Sequence, residues 1–155
     1  MYRTILVPLD GSTRAERILP HVEALAATFH ARVVLLQVTN TEAAMRVPPE
    51  MQYTQESSGM LNVPVDTAPA ENAHAYLMSK QAGLQAKRIE VDIRIEKGPV
   101  VATIIAAAES ENADLIAIAS HGRTGLRQVF YGSVASGVLH RIDRPLLIIR
   151  AEDGD

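Results

Sequence analysis

The chain of 155 residues contains no cysteine. That excludes disulfide staples, thiol catalysis, cysteine zinc sites and iron–sulfur clusters, and it fits a reducing compartment. It also lacks a basic block: 15 Lys and Arg stand against 18 Asp and Glu, a formal charge of −3. Binding to duplex DNA or RNA rests on phosphate neutralisation by such blocks, so no nucleic-acid partner is expected. Long apolar runs are missing too. Ile5-Leu6-Val7 meets Pro8 and Asp10 too soon to form a signal-peptide core. The longest weakly polar run, Pro99 to Ala108, is about half of the roughly 20 residues a membrane helix needs. The expectation is a soluble, cytoplasmic protein without a membrane partner.

Several catalytic signatures are absent. No lysine precedes Ser133, so there is no Walker A motif, and neither G-x-S-x-G nor G-x-G-x-x-G occurs. The histidines at 21, 30, 74, 121 and 140 lack metal-ligand spacing. Asp10 alone cannot build a protein-made metal site; a divalent ion would arrive with phosphates. No acid and base are paired for efficient catalysis, and there is no internal repeat.

What is present is enough apolar surface for a core. Apolar residues make up 47% and charged residues 21%, as in an ordinary soluble domain, and the length suits one domain. Short apolar runs alternate with helix-period segments, the pattern of βαβ units around a parallel sheet. Thr4 to Leu9 is too apolar for a one-sided strand and reads as central. Asp10 to Thr13 is a turn, and Thr13 with Glu16 forms a capping box. Ile18, Val22, Leu25, Ala26 and Phe29 follow at helix spacing. Pro20 either kinks that helix or delays its start.

Arg32 to Val38 is a second buried strand. Residues 39–68 lose all period and form a long variable loop. Ala70 to Lys87 is a helix with Ala75, Met78, Ala82 and Leu84 apolar. Ile89, Val91, Ile93 and Ile95 alternate with charges, which marks a half-exposed strand near an edge. Lys97-Gly98-Pro99 is a turn opening a helix whose stripe is Val101, Ile104, Ile105 and Ala108. Asp114 to Ala119 is another central strand, Ser120 to Tyr131 a loop, and Gly132-Ser133 opens a last helix to Arg141. Pro145 to Arg150 is the final strand and 151–155 a polar tail. The fold class is α/β, a doubly wound parallel sheet of five strands with four helices in a three-layer sandwich.

Ligands of such sheets bind beyond the carboxyl ends of the strands, at the point where strand order reverses. The first, second and fourth strands end in Asp10-Gly11-Ser12, in Val38-Thr39 and in Ser120-His121-Gly122. After Gly122 come nine residues and then Gly132-Ser133-Val134, at the start of the last helix. A helix N-terminus offers free N–H groups to phosphate, and glycine admits close approach. On spacing alone, Gly122 is either a turn residue or part of an anion cradle. Ser133 is either a helix cap or a ligand contact. His121 either donates to a phosphate or braces its loop. Arg123 and Arg127 either add charge for phosphates or lie on a solvated face. Leu126, Val129 and Phe130, at helix spacing, pin that loop to the core.

Val7-Pro8-Leu9-Asp10-Gly11-Ser12, Ala119-Ser120-His121-Gly122-Arg123-Thr124-Gly125, Gly132-Ser133-Val134 and Arg144-Pro145-Leu146-Leu147-Ile148-Ile149 together resemble the universal stress protein family. The resemblance spans nearly the whole chain. It implies one nucleotide-binding domain over residues 1–150 and strand order 3-2-1-4-5. It also implies a homodimer through the last strand, Pro145–Arg150. Family members with G-x2-G-x9-G-(S/T) bind ATP, so the implied cofactor is ATP, with Mg or Mn held through its phosphates.

Carried over by residue, Asp10 accepts from ribose hydroxyls, and Pro8 and Val38 line the adenine slot. Ala119, Gly122, Gly132, Ser133 and Val134 hold ribose and phosphates, with His121 and Arg123 beside them. The motif's first glycine falls on Ala119. Alanine is neutral there at ordinary φ and weakens binding if φ must be positive or ribose needs the room. The implied role is stress response or regulation through bound nucleotide. The rivals are a nucleotide-free interaction dimer of the same fold and a slow ATPase.

Overall fold

The computed structural model describes residues 1–39, 68–122 and 132–152. In chain order the elements are β1 (Thr4–Pro8), a 3₁₀ turn (Ala15–Ile18), α1 (Leu19–Phe29), β2 (Arg32–Thr39), α2 (Ala68–Gln85) and β3 (Val91–Lys97). Then come α3 (Val100–Ser110), β4 (Leu115–Gly122), α4 (Ser133–Arg141) and β5 (Leu146–Glu152). The strands form one parallel sheet in the order β3-β2-β1-β4-β5.

Side chains alternate between sheet faces, so each strand feeds two cores. Ile5, Val7, Val33 and Leu35 pack with Ile18, Val22 and Ala26 of the first helical segment and Leu77 and Leu84 of α2. Leu6, Val34, Leu36 and Ile116 pack with Ile104, Ala107 and Ala108 of α3 and Ala135 and Val138 of α4. That two-sided burial is why β1 and β2 are almost continuously apolar. The half-exposed β3 lies at one edge, as its alternation implies.

Local chemistry decides where elements begin. Pro20 does not kink a helix. It sits in the first turn of α1, where its missing N–H costs nothing, and the 3₁₀ turn precedes it. Thr13 forms no capping box. Ser12 takes that place: its Oγ accepts from the Ala15 N–H at 3.1 Å, and its carbonyl accepts from the Glu16 N–H at 3.3 Å. Glu16 pairs instead with Lys80 of α2 at 2.9 Å.

Three further expectations are corrected. The buried face of α2 is Ala73, Leu77 and Leu84; Ala75 and Ala82 are exposed, and Met78 is 48% exposed. The helix is alanine-rich, so small residues permit more than one face, and Leu77 selects the one that reaches the core. Strand β4 continues through Ser120, His121 and Gly122 rather than ending at Ala119. Strand β5 likewise continues through Ala151, 1% exposed, into Glu152. The two extensions pair with one another, Ser120 with Arg150, His121 with Ala151 and Gly122 with Glu152. Each supplies the other's ladder partners, which neither segment reveals by itself.

Polar ties fasten the strand starts, away from the carboxyl ends. The Asp114 carboxylate accepts from the Arg3 N–H at 2.9 Å and the Thr4 N–H at 3.1 Å. Arg144 donates to the carbonyls of Ala108 and Ala113 at 2.9 and 3.0 Å, a cation at the end of α3. Glu111 bridges Arg32 of β2 at 2.8 Å and Arg94 of β3 at 2.9 Å.

Candidate functional site

The sheet order reverses between β1 and β4: the chain leaves β1 toward β2 and later crosses back to β4 on the other side. At that reversal lies a cleft of about 310 Å³. It is lined by Pro8, Leu9, Asp10, Arg14 and Ala15 after β1, by Leu36 and Val38 of β2, and by Ile118, Ala119 and Ser120 of β4. Val100 and Ile104 of α3 and Gly132 to Ala135 at the start of α4 close it. Its size falls at the lower end of the roughly 300–1,000 Å³ typical of small-molecule sites.

The turn after β1 is built by side chains. Asp10 Oδ1 accepts from the Ser12 N–H at 2.9 Å and from the Ser12 Oγ–H at 2.5 Å. Ser12 then accepts from Ala15, so carboxylate, hydroxyl and backbone form one chain of bonds. Gly11, at φ +84°, supplies the left-handed step that folds the carboxylate back. Asp10 is exposed at the cleft mouth.

The facing wall is the N-terminus of α4. Gly132 is its N-cap, at φ 73° and ψ 162°, a region that glycine alone occupies readily. Ser133 therefore stands inside the helix rather than capping it, and the N-cap residue Gly132 has no side chain to offer a cap. The first N–H groups of a helix have no partner within it, and they carry the positive end of its dipole. They open where Ser133, Val134 and Ala135 line the cleft.

Between these walls the lining is mostly apolar, with Leu36, Val38, Val100, Ile104 and Ile118 forming a slot. Ser120 is the exception, a hydroxyl-bearing side chain only 3% exposed. Ala119 stands in β4 opposite Ile149 and is not among the described residues of positive φ. Its backbone needs no glycine.

Tyr76 of α2 lies behind the turn. Its hydroxyl is buried with no hydrogen-bond partner among the described residues. Burial pushes the phenol well above its ordinary value, and the Glu16 and then the Asp10 carboxylates act the same way. Lys80 sits over its ring, 5.5 Å from the centroid. The phenol therefore stays neutral at physiological pH.

Of the site residues expected from the sequence, the cleft gathers Pro8, Asp10, Val38, Ala119, Gly132, Ser133 and Val134. His121 and Gly122 end β4 by their backbone. Arg123, Arg127, Leu126, Val129 and Phe130 lie outside the described residues, as does the variable loop from 40 to 67. The sequence reading missed Arg14, Ser120 and the α3 pair Val100 and Ile104. Ser120 stood in the right segment but read as loop. Arg14 belongs to no motif, and its place follows only from the 3₁₀ turn.

Among the described residues no group of His, Asp and Glu is arranged to hold a metal ion. No described helix is long and apolar enough to cross a membrane.

Comparison with known proteins agrees with this architecture. The family model described as the universal stress protein family matches residues 1–150. Universal stress protein MJ0577 of Methanocaldococcus jannaschii is 26% identical over 162 residues, covering 99% of this chain and 98% of that protein. A solved structure of MJ0577 superposes with a TM-score of 0.77 at 27% identity, over 99% of each chain. The fold is also that of a universal stress protein solved in complex with cAMP, TM-score 0.66 at 20% identity, over 97% of this chain and 98% of that one. It is shared too by the Archaeoglobus fulgidus protein solved with dAMP, TM-score 0.62 at 19% identity, over 96% and 98%. With a match along nearly its whole length and the family's strand order, the chain belongs to the universal stress protein family.

Proposed function

We propose that residues 1–150 form one domain that binds an adenine nucleotide, ATP, in this cleft and acts in stress response or regulation as a homodimer. The observation that carries the reading is the pairing of two features across one cleft. Asp10 stands at one wall, and the N-terminus of α4, opened by Gly132 at φ 73°, stands at the other. One wall suits hydroxyl donors and the other suits phosphate.

Asp10 spends Oδ1 on Ser12, which leaves Oδ2 for ribose hydroxyls. The apolar slot with Pro8 and Val38 suits a purine ring. Ala119, Gly122, Gly132, Ser133 and Val134 hold ribose and phosphates on this reading, and the family resemblance adds His121 and Arg123. Mg or Mn, when present, is carried by the phosphates. The proteins of this fold solved with cAMP and dAMP carry adenine nucleotides themselves, which supports the ligand class.

Ala119, in place of the motif's first glycine, is the motive for the rival reading of a nucleotide-free dimer. Its ordinary backbone removes half of that motive and leaves only the room taken by one methyl group. Among the described residues the charged side chains lining the cleft are Asp10 and Arg14.

The test is titration calorimetry with Mg·ATP on nucleotide-free protein. The reading expects saturable binding near one per subunit, lost in the double variant Asp10→Ala, Gly132→Ala with its circular dichroism unchanged. Unchanged affinity in that variant contradicts it.

A further inference from the structure

Arg14 lines the cleft and belongs to none of the recognised motif segments. Its position is fixed from below. Ala15 is 9% and Ile18 0% exposed, so the 3₁₀ turn is rooted in the core. The bonds from Asp10 to Ser12 to Ala15 hold the backbone on either side of position 14. A half-buried arginine is thus set four residues past Asp10, on the wall of the cavity that α4 enters with its positive end. The buried Ser120, 3% exposed, lines the same space. Among the described residues a neutral nucleoside would draw chiefly on the apolar slot and Asp10. An anionic ligand would also meet a guanidinium, a hydroxyl and a helix N-terminus of nine residues.

We propose that Arg14 is a specificity-determining residue that makes the cleft favour phosphorylated over unphosphorylated nucleosides by pairing with a phosphate oxygen. This rests on the nucleotide reading above and deepens it. Guanidinium suits the task because its planar fork matches phosphate oxygens two at a time, and it stays charged. Lysine keeps the charge without the fork.

The experiment is calorimetric titration of wild type, Arg14→Gln and Arg14→Lys with ATP and, separately, with adenosine. Arg14→Gln is expected to raise the Kd for ATP about tenfold or more and that for adenosine less than about twofold. Arg14→Lys falls between wild type and Arg14→Gln for ATP. A ratio of ATP to adenosine affinity that is unchanged in Arg14→Gln overturns the proposal, including the case in which both ligands weaken equally. If wild type binds neither ligand, the nucleotide reading falls and this inference with it. If wild type binds both and Arg14→Gln is indifferent, this inference alone falls.

Discussion

Asp10 divides its two carboxylate oxygens between the fold and the cleft. Oδ1 holds the Ser12 N–H and hydroxyl, and on the proposed reading Oδ2 serves the ligand. Asparagine keeps an Oδ1 acceptor for the turn but loses the charge; alanine loses both. Asp10→Asn is therefore expected to weaken ATP binding about tenfold, the scale of one charge-assisted hydrogen bond, at an unchanged melting temperature. Asp10→Ala should lose binding and also melt earlier. Equal melting of the two variants would separate the turn from the carboxylate. At Ala119 the expectation is nearly the opposite of the motif's. Its φ is ordinary, so Ala119→Gly adds flexibility to a strand and costs roughly 0.5–1 kcal/mol of stability, with ATP affinity within about threefold. A large gain in affinity would show that the methyl group obstructs the ligand. Asp10, Gly132 and Ser133 stand beside strand and helix ends, where spacing alone leaves their roles open and the family resemblance singles them out. Arg14 was not legible, because an isolated arginine carries no pattern and only the turn places it.

Elements meet at two glycines with opposite consequences. Gly83 lies on the exposed side of α2, and an added Cβ would meet nothing within 4 Å. Gly83→Ala should stabilise by roughly 0.5–1 kcal/mol, the helix-propensity difference. At Gly137 of α4 an added Cβ would stand 2.7 Å from Val101 Cγ2 of α3. Valine is stiff at χ1, so overpacking of about 1–3 kcal/mol outweighs the same propensity gain and Gly137→Ala should destabilise. Thermal melting of the two variants checks both signs.

Glu111 ties α3 to β2 and β3. Hydrogen bonds from Arg32 and then Arg94 hold its carboxyl below the usual range. A depressed folded value means the stabilisation is complete above the ordinary glutamate range, about 4.3. It is lost as pH falls through the depressed value. Glu111→Gln should then be less stable than wild type by about 1–2 kcal/mol at pH 7. The two should converge in strong acid, and a gap independent of pH would contradict that account.

At this scale the sequence showed element type well and boundaries less well. Periodicity marked β1, β2 and β3 because burial on two faces or one leaves a clear pattern. It missed the ends of β4 and β5, whose reason to be strand lies in each other, and it turned α2 to the wrong face because alanine fits either side.

For the molecule as a whole, alternation of strands and helices showed a doubly wound parallel sheet. Strand order is not written in that alternation; it came from the family resemblance, and the structure has the same order. The order makes β5 an edge strand bonded only to β4, with Leu146, Leu147, Ile148 and Ile149 all half-buried. Apolar edges invite pairing, which supports the proposed homodimer through Pro145–Arg150. Light scattering at micromolar concentration should give twice the 16.8 kDa chain mass; a monomeric mass would refute the pairing.

The central claim is that the cleft between β1 and β4 holds an adenine nucleotide. The most direct measurement is to purify the protein without added nucleotide, denature it and identify released small molecules by mass spectrometry. The emptied protein is then titrated with Mg·ATP. Released ATP, or saturable binding near one per subunit, is the result expected. No released nucleotide together with no heat on titration would contradict the claim.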